Sequence, residues 1–181
     1  RFGIGCFSKS AYDFVDWLKE AGQTYWQILP LGPTSYGDSP YQSFSTFAGN
    51  PYFISLDELI EEGVLTEKEC KNADFGKKAD DIDYEKIYKK RYPLLRKAYE
   101  RSRVSENPDY VRFVEENRWW LSDYALFMAV KDRFKGAPWT DWAEDIRLRW
   151  ENAMDYYRKE LYFDIEFQQY LQYKFFSQWG R

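Results

Sequence analysis

The sequence contains no histidine and only two cysteines. Without histidine, Ser-His and Cys-His nucleophile pairs and histidine metal sites are excluded, so any chemistry has to use carboxylates, tyrosines or lysines. Cys6 and Cys70 lie far apart and lack CxxC spacing, which indicates neither a disulfide framework nor a zinc site. No apolar run approaches the roughly 20 residues of a membrane span, and no signal peptide pattern begins the chain. These absences predict a cytoplasmic protein with no membrane partner.

A basic surface is also missing, because 26 basic and 30 acidic side chains leave a net charge of −4. The charges form no basic stripe, which excludes an electrostatic footprint for nucleic acid. Aromatic residues, in contrast, make up 21% of the chain. Rings at that density do more than fill one small core, so we expect some of them to face a ligand or another surface.

Helical periodicity runs through much of the sequence. The first helix is predicted between Ser8 or Ser10 as its cap and Gly22 as its stop, because apolar residues recur at the helical period between them. Two short helices are predicted next, one capped by Ser55 and one beginning in a capping box at Thr66.

The second half of the chain is predicted to be helical without any strand. Residues 80–101 are charged and helical in pattern, and Pro93 predicts a kink or break because proline removes a backbone donor. Residues 107–134 are predicted to form one long helix, which an asparagine caps and a proline begins. A last helix is predicted from about residue 152 to residue 179.

One apolar run, at residues 25–31, predicts a buried strand. Because it directly follows a helix and ends in glycine and proline, the spacing is that of an α/β layer structure. A lone strand leaves its backbone groups unpaired, so we expect its partner strands to lie outside this chain. Residues 32–51 form a loop that is long for a compact domain, and long loops are usually functional.

Four blocks of sequence resemble the amylomaltase family of 4-α-glucanotransferases. They are YWQILPLGP (25–33), YGDSPYQSFSTFAGNP (36–51), DYEKIYKKRYPLLRKAY (83–99) and RWWLSDYALFMAVKDRF (118–134). The blocks follow one another in the order and approximate spacing of the family. Since FFSQWGR at the C-terminus also agrees, the resemblance covers nearly the whole chain.

The resemblance implies an α/β fold of the α-amylase clan, a partial (β/α)8 TIM barrel with a large inserted, mostly helical subdomain. Residues 1–50 would supply an early barrel helix, strand and substrate loop, and residues 51–150 the inserted helical subdomain. Residues 151–181 would form a helix that returns to the barrel. The remainder of the barrel would be absent, so a C-terminal barrel of the same chain is an expected partner.

The activity that the resemblance implies is transfer of α-1,4-glucan chains between maltooligosaccharides with retention, without a metal or other cofactor. The family's nucleophile Asp, acid/base Glu and stabilising Asp lie on later strands, so none maps onto this chain. We therefore predict that the 181-residue chain is an N-terminal fragment, inactive by itself.

Within the loop, the resemblance assigns substrate contacts. Tyr41 matches the tyrosine that packs against the sugar at the cleavage point, and Ser39 matches a polar contact in the donor groove, with Asp38 and Gln42 as weaker neighbours. The alternative is a simple turn, in which Asp38 and Ser39 bond their own backbone and Pro40 sets the bend. The two interpretations are compatible with each other.

Two further tyrosines, Tyr36 and Tyr88, match positions that bind glucan in a groove beside the family's active site. Packing inside the helical subdomain is the alternative for both. Four tryptophans that lie in strand or helix patterns are predicted to be core rather than sugar platforms: Trp26, Trp119, Trp120 and Trp179. The run of Asp80, Asp81 and Asp83 is predicted to be a solvated charge run rather than a calcium site.

Two other function classes remain open from the residues. A non-catalytic α-glucan-binding module would use the same aromatic loop, whereas a helical scaffold protein would leave that loop unexplained. A hydrolase of the same clan would differ only in using water as the acceptor. Apolar positions on the last helix, Phe167, Leu171 and Phe175, are predicted to be exposed without the barrel, which predicts poor solubility.

Overall fold

All regular structure in the described part of the chain is helical. The computed structural model describes residues 2–35, 37–76 and 81–181, and within them nine α-helices occur without any strand or sheet. The chain divides into two compact units, Arg1–Val104 with Lys174–Arg181, and Ser105–Tyr173. Across the same described residues, no helix has the length and apolar character that crossing a bilayer requires.

The predicted partial TIM barrel is therefore wrong for the described residues. Residues 25–31 belong to no helix or strand, and the side chains of residues 25–30 are exposed, with Tyr25 at 91%. A strand exists only where a neighbour pairs with its backbone, and an apolar run alone supplies no such neighbour. The apolar run at residues 25–31 therefore does not form the buried strand that it predicted.

The first unit begins with α1, Lys9–Glu20, whose N-cap position is Ser8 and which ends before Gly22 with φ +75°. The predicted bounds of this helix are confirmed. No residue of α1 is buried. Its apolar stripe instead carries Phe14, whose ring lies edge-on to Trp26 with the ring centroids 5.0 Å apart.

Two short helices follow where their caps predicted them. The 3₁₀ turn Pro51–Phe53 leads into α2, Leu56–Glu61, and the Ser55 side chain accepts a hydrogen bond from the Glu58 N–H at 3.3 Å. Helix α3, Glu67–Asn72, begins in the predicted capping box, in which Thr66 and Glu69 bond each other's backbone. Local side-chain chemistry thus determines both helix starts.

Helix α4, Tyr84–Ser102, runs through Pro93 without ending, so of the kink or break predicted there the break is wrong. Its buried positions outweigh the one backbone bond that proline removes; they are Ile87, Arg91, Leu94, Leu95, Ala98 and Tyr99. Asp83 caps this helix by accepting from the Lys86 N–H at 3.0 Å. The predicted charge run includes Asp80, which lies outside the described residues.

Arg91 is fully buried at the centre of the first unit. Its guanidinium donates to the backbone carbonyls of Phe2, at 3.3 Å, and of Ile54. Burial lowers the pKa of this guanidinium, and the neighbouring Cys6 side chain opposes the shift. One side chain therefore ties the N-terminal residues to the segment before α2.

The second unit opens with two helices where one was predicted. The 3₁₀ turn Val104–Glu106 precedes α5, Pro108–Glu116, and α6 is Arg118–Arg133. Asn117 separates them: its Nδ2 donates to the Phe113 carbonyl at 2.8 Å and its Oδ1 accepts from the Trp120 indole at 3.0 Å. Asparagine competes for backbone bonds in this way, which explains why a continuous helix fails there.

The rest of the second unit comprises the 3₁₀ turn Trp139–Asp141, α7, Glu144–Arg147, and α8, Glu151–Glu160. Helix α9, Tyr162–Trp179, begins in this unit and its residues from Lys174 onward belong to the first unit. The predicted last helix is therefore interrupted at Leu161. Helix α6 packs on α5 and α8, and the core cluster comprises Leu126, Ala129, Val130, Trp142, Ile146, Ala153, Met154 and Leu161.

Burial overturns two predictions about large apolar side chains. Trp120 is buried as predicted, but Trp26, Trp119 and Trp179 are exposed. Phe167, Leu171 and Phe175, predicted to be exposed, are buried instead. The helical period identifies a common face but does not say which face meets the core.

We expect the substitution Leu171→Ala to destabilise the fold by about 2–5 kcal/mol, because Leu171 is 0% exposed and truncation leaves a cavity. The exposed control Trp119→Ala, at 69%, should stay within about 0.5 kcal/mol of the parent. Urea unfolding followed by circular dichroism measures both. A larger loss for Trp119→Ala than for Leu171→Ala would contradict the observed burial.

Candidate functional site

An open groove in the first unit is the best candidate site. Its volume is about 490 Å³, and it lies between the loop at residues 30–49 and the C-terminal end of α9. Most of the large side chains that line it are aromatic. The lining residues are Pro30, Leu31, Gly32, Pro40, Tyr41, Ser43, Ser45, Thr46, Phe47, Ala48, Gly49, Phe175, Phe176 and Trp179.

The loop that forms one wall is closed at its base. The Asn50 N–H donates to the Leu31 carbonyl at 2.8 Å, and the Asn50 side chain accepts from the Tyr52 N–H at 3.0 Å. Asn50 is itself buried. Two residues that are nineteen positions apart in sequence are thus held together at the base of the loop.

Serine side chains stiffen the second half of this loop. The Ser43 hydroxyl donates to the Ser45 carbonyl at 2.8 Å, and the Ser45 N–H donates back to the Ser43 oxygen at 3.3 Å. The Ser45 oxygen accepts from the N–H groups of Phe47, at 3.3 Å, and Ala48, at 3.1 Å. Short side-chain bonds of this kind replace secondary structure in the loop.

Tyr41 presents its ring to the groove and is 74% exposed. The Tyr41 N–H donates to the Ser39 hydroxyl at 3.4 Å, and the Gln42 N–H donates to the Ser39 carbonyl at 3.1 Å. Ser39 is thus a turn former that holds Tyr41 in place, in keeping with the turn interpretation of this segment. Gln42 is exposed beside Tyr41.

The whole chain, residues 1–181, matches the family model described as 4-alpha-glucanotransferase, glycoside hydrolase family 77. The chain belongs to this family. It is 48% identical over 179 residues to the 4-alpha-glucanotransferase of Clostridium butyricum, covering 99% of this chain and 37% of that protein. It is 43% identical to the 4-alpha-glucanotransferase of Thermus thermophilus, covering 99% of this chain and 36% of that one.

A solved structure of the family has the same fold over this segment. The amylomaltase from Streptococcus agalactiae in complex with acarbose matches with a TM-score of 0.93 and 40% identity. The match covers 99% of this chain and 37% of the amylomaltase chain. This glucanotransferase family member therefore spans little more than a third of the length of the relatives it matches.

A second group of predicted residues lies around Tyr52 rather than in the groove. Burial raises the pKa of Tyr52 to about 12, and the Asp38 carboxylate and the Tyr88 phenol add to the increase. The Tyr88 ring lies 5.3 Å from that of Tyr92, which lies 5.9 Å from Tyr52. The structure therefore places Asp38 and Tyr88 near the same phenol. Tyr36 lies outside the described residues.

Sequence reasoning missed the wall that faces the loop. Phe175 was predicted to be exposed without the barrel, and Trp179 was predicted to lie in the core. Both line the groove together with Phe176. The four-residue spacing of Phe175 and Trp179 was the available signal, since it places both on one helix face. Nothing in that spacing says that a loop more than a hundred residues earlier in the sequence covers them.

A second cavity, of about 290 Å³, lies in the second unit and suits a polar ligand less well. Its lining includes the core residues Leu126, Val130 and Met154. Among its polar lining residues, Arg149 donates to Asp123 at 2.8 Å. A hydroxyl-rich ligand would lose water against apolar walls without gaining equivalent bonds, so the groove beside Tyr41 is the better candidate in this family member.

We expect the substitution Asp38→Asn to lower the pKa of Tyr52 from about 12, yet leave it above the ordinary 10.0, because burial is the larger cause. A pH titration of tyrosine ring resonances measures the shift, with Tyr52→Phe identifying the signal. The control Asp13→Asn removes a carboxylate that is paired with Lys9 and should change nothing at Tyr52.

The raised pKa also determines how stability depends on pH. Folded Tyr52 holds its proton more tightly than the unfolded chain does, so its contribution is fully present below pH 10 and is lost as the pH rises through about 12. The difference between the unfolding midpoints of the parent and of Tyr52→Phe, followed from pH 8 to pH 12, measures this loss. An unchanged Tyr52 titration in Asp38→Asn would show that the two groups are not neighbours.

Proposed function

We propose that this chain is the glucan-binding part of a 4-α-glucanotransferase that transfers α-1,4-glucan chains between maltooligosaccharides. The observation that carries the proposal is the exposed ring of Tyr41 at an aromatic-lined groove, on a loop with a closed base. The names of the relatives support the transferase assignment. In support of the substrate class, a relative has been solved with acarbose.

Tyr41 would serve as the sugar platform of the groove. The face of a glucose ring is apolar, whereas its hydroxyls point outward, so an aromatic ring stabilises the face while polar groups serve the rim. With 74% of Tyr41 exposed, a sugar has ring area to cover. The phenol oxygen stays available for a hydroxyl of the bound glucan.

We propose polar and secondary roles for the other predicted residues. Ser39 and Gln42 flank Tyr41 and offer a hydroxyl and an amide, and Asp38 offers a carboxylate on the same loop. Tyr36 and Tyr88 would contact glucan in an adjacent groove. The exposed Tyr88 ring, edge-on to Tyr92, supports this for Tyr88.

The reaction proposed for the whole enzyme proceeds with retention. A carboxylate nucleophile takes the glycosyl group as a covalent intermediate, a carboxylic acid protonates the departing oxygen, and a glucan 4-hydroxyl then takes the place of water. The residues of this chain would bind and orient glucan for both steps. We assign neither the nucleophile nor the acid to this chain and expect the 181 residues alone to be inactive.

We also propose where the domains and the enzyme lie. Residues 1–50 would form the substrate-loop segment, residues 51–150 a helical subdomain and residues 151–181 the C-terminal segment with α8 and α9. A cytoplasmic location is supported by the low cysteine content, because only Cys6 and Cys70 occur and a disulfide framework would need more. The second candidate function, a non-catalytic glucan-binding module, uses the same groove and is separated from the first by activity.

The experiment measures maltotriose disproportionation by the native protein, in the form in which its organism produces it. We expect Tyr41→Ala to lower kcat/KM roughly 10- to 100-fold, because an aromatic ring contributes about 1.5–3 kcal/mol when covered. Tyr41→Phe keeps the ring and should lose at most about tenfold, the value of one hydrogen bond. Release of glucose and formation of longer maltooligosaccharides measure the rate.

The control is Tyr156→Ala, which removes another exposed tyrosine from the second unit. It should transfer glucan at the parent rate. Acarbose binding without any transfer would favour the binding module over the transferase. If Tyr41→Ala and Tyr156→Ala behave alike, Tyr41 is not the platform.

A further inference from the structure

At the groove, one glycine lies directly against an aromatic ring. A Cβ built on Gly49 would lie 2.1 Å from Cδ1 and 2.2 Å from Cε1 of Phe175, which no real side chain tolerates. The φ angle of Gly49 is not positive, so backbone conformation does not require glycine there. The position requires glycine because the ring occupies the space of a side chain.

Phe175 is itself held firmly in place. Its side chain is buried, and its ring lies edge-on to Phe7, with centroids 5.2 Å apart, and to Phe176, with centroids 5.1 Å apart. Phe7 is fixed in turn by its N–H, which donates to the Phe53 carbonyl at 2.9 Å. The surface on which Gly49 rests is therefore a packed aromatic cluster and not a mobile side chain.

Hydrogen bonds within the loop, together with the intervening backbone, link Gly49 to Tyr41. Next to Gly49, the Ala48 N–H donates to Ser45, which exchanges two hydrogen bonds with Ser43, two residues from Tyr41. On the other side of the loop, a Cβ built on Gly32 would lie 2.9 Å from the Ser43 hydroxyl oxygen, so Ser43 also packs against Gly32. The exposed Tyr41 ring has little packing of its own and depends on this framework.

We propose that Phe175 is a positioning residue for Tyr41. The Phe175 ring packs against Gly49 and thereby determines where the loop places the Tyr41 ring. The inference rests on the proposed role of Tyr41 in glucan binding. Phe175 acts through Gly49 and the serine bonds, and it needs no contact with the reacting atoms. A displacement of Gly49 by about 1 Å would move the Tyr41 ring relative to a bound glucan.

The test uses the gene product with 3-fluorotyrosine incorporated, and Tyr41→Phe identifies the Tyr41 fluorine resonance. We expect Gly49→Ala to shift or broaden that resonance and to lower kcat/KM by about 10- to 100-fold, the effect of a misplacement of about 1 Å. The double variant Gly49→Ala/Phe175→Leu makes room for the methyl group. It should return the resonance and most of the activity toward the parent values.

The matched control is Gly5→Ala, where nothing lies within 4 Å of an added Cβ, and neither readout should change. Phe175→Leu alone leaves a gap beneath Gly49 that the methyl group of the double variant would fill, so we expect it also to shift or broaden the Tyr41 resonance. It therefore tests the proposal if Gly49→Ala fails to fold. The proposal is overturned if Gly49→Ala lowers the melting temperature while the Tyr41 resonance stays in place, or if the double variant gives no recovery. The fluorine shift in ligand-free protein does not depend on whether Tyr41 binds glucan, so failure of the proposed function is recognised separately.

Discussion

The seat of Gly49 on Phe175 is the contact on which the groove depends. A Cβ on Gly49 would lie as near as 2.1 Å to a carbon of the Phe175 ring, so only glycine fits at this position. The contact fixes the loop against α9. The Asn50–Leu31 hydrogen bond closes the loop just behind this seat. Because the described residues of the loop form no sheet or helix, these two contacts and the serine bonds hold its shape.

The groove combines a buried, well-packed base with exposed aromatic rings. Phe175 and Asn50 are buried behind it, whereas Tyr41 and Trp179 remain exposed along it. A firm base under exposed rings is what a sugar platform needs, because ordering the platform at the moment of binding would weaken affinity. The chain that carries this groove belongs to the 4-alpha-glucanotransferase family, and an amylomaltase has the same fold over this segment.

What the sequence predicted well was local, and what it missed was long-range. The caps at Ser55 and Thr66 were confirmed because a cap needs only a side chain and the next three backbone amides. The strand at residues 25–31 was wrong because pairing needs a neighbour that the pattern cannot supply. The site role proposed for Tyr41 came from family resemblance. Its proposed positioning by Phe175 links residues that are too distant in sequence for any periodicity to connect.

The most direct measurement is a crystal structure of the gene product, as its source makes it, in complex with acarbose. The account predicts that one ring of the ligand lies against the Tyr41 ring at contact distance, about 4 Å, with Phe175 still seated on Gly49. Acarbose bound elsewhere, with the Tyr41 ring in solvent, would contradict the central claim that this loop presents the sugar platform.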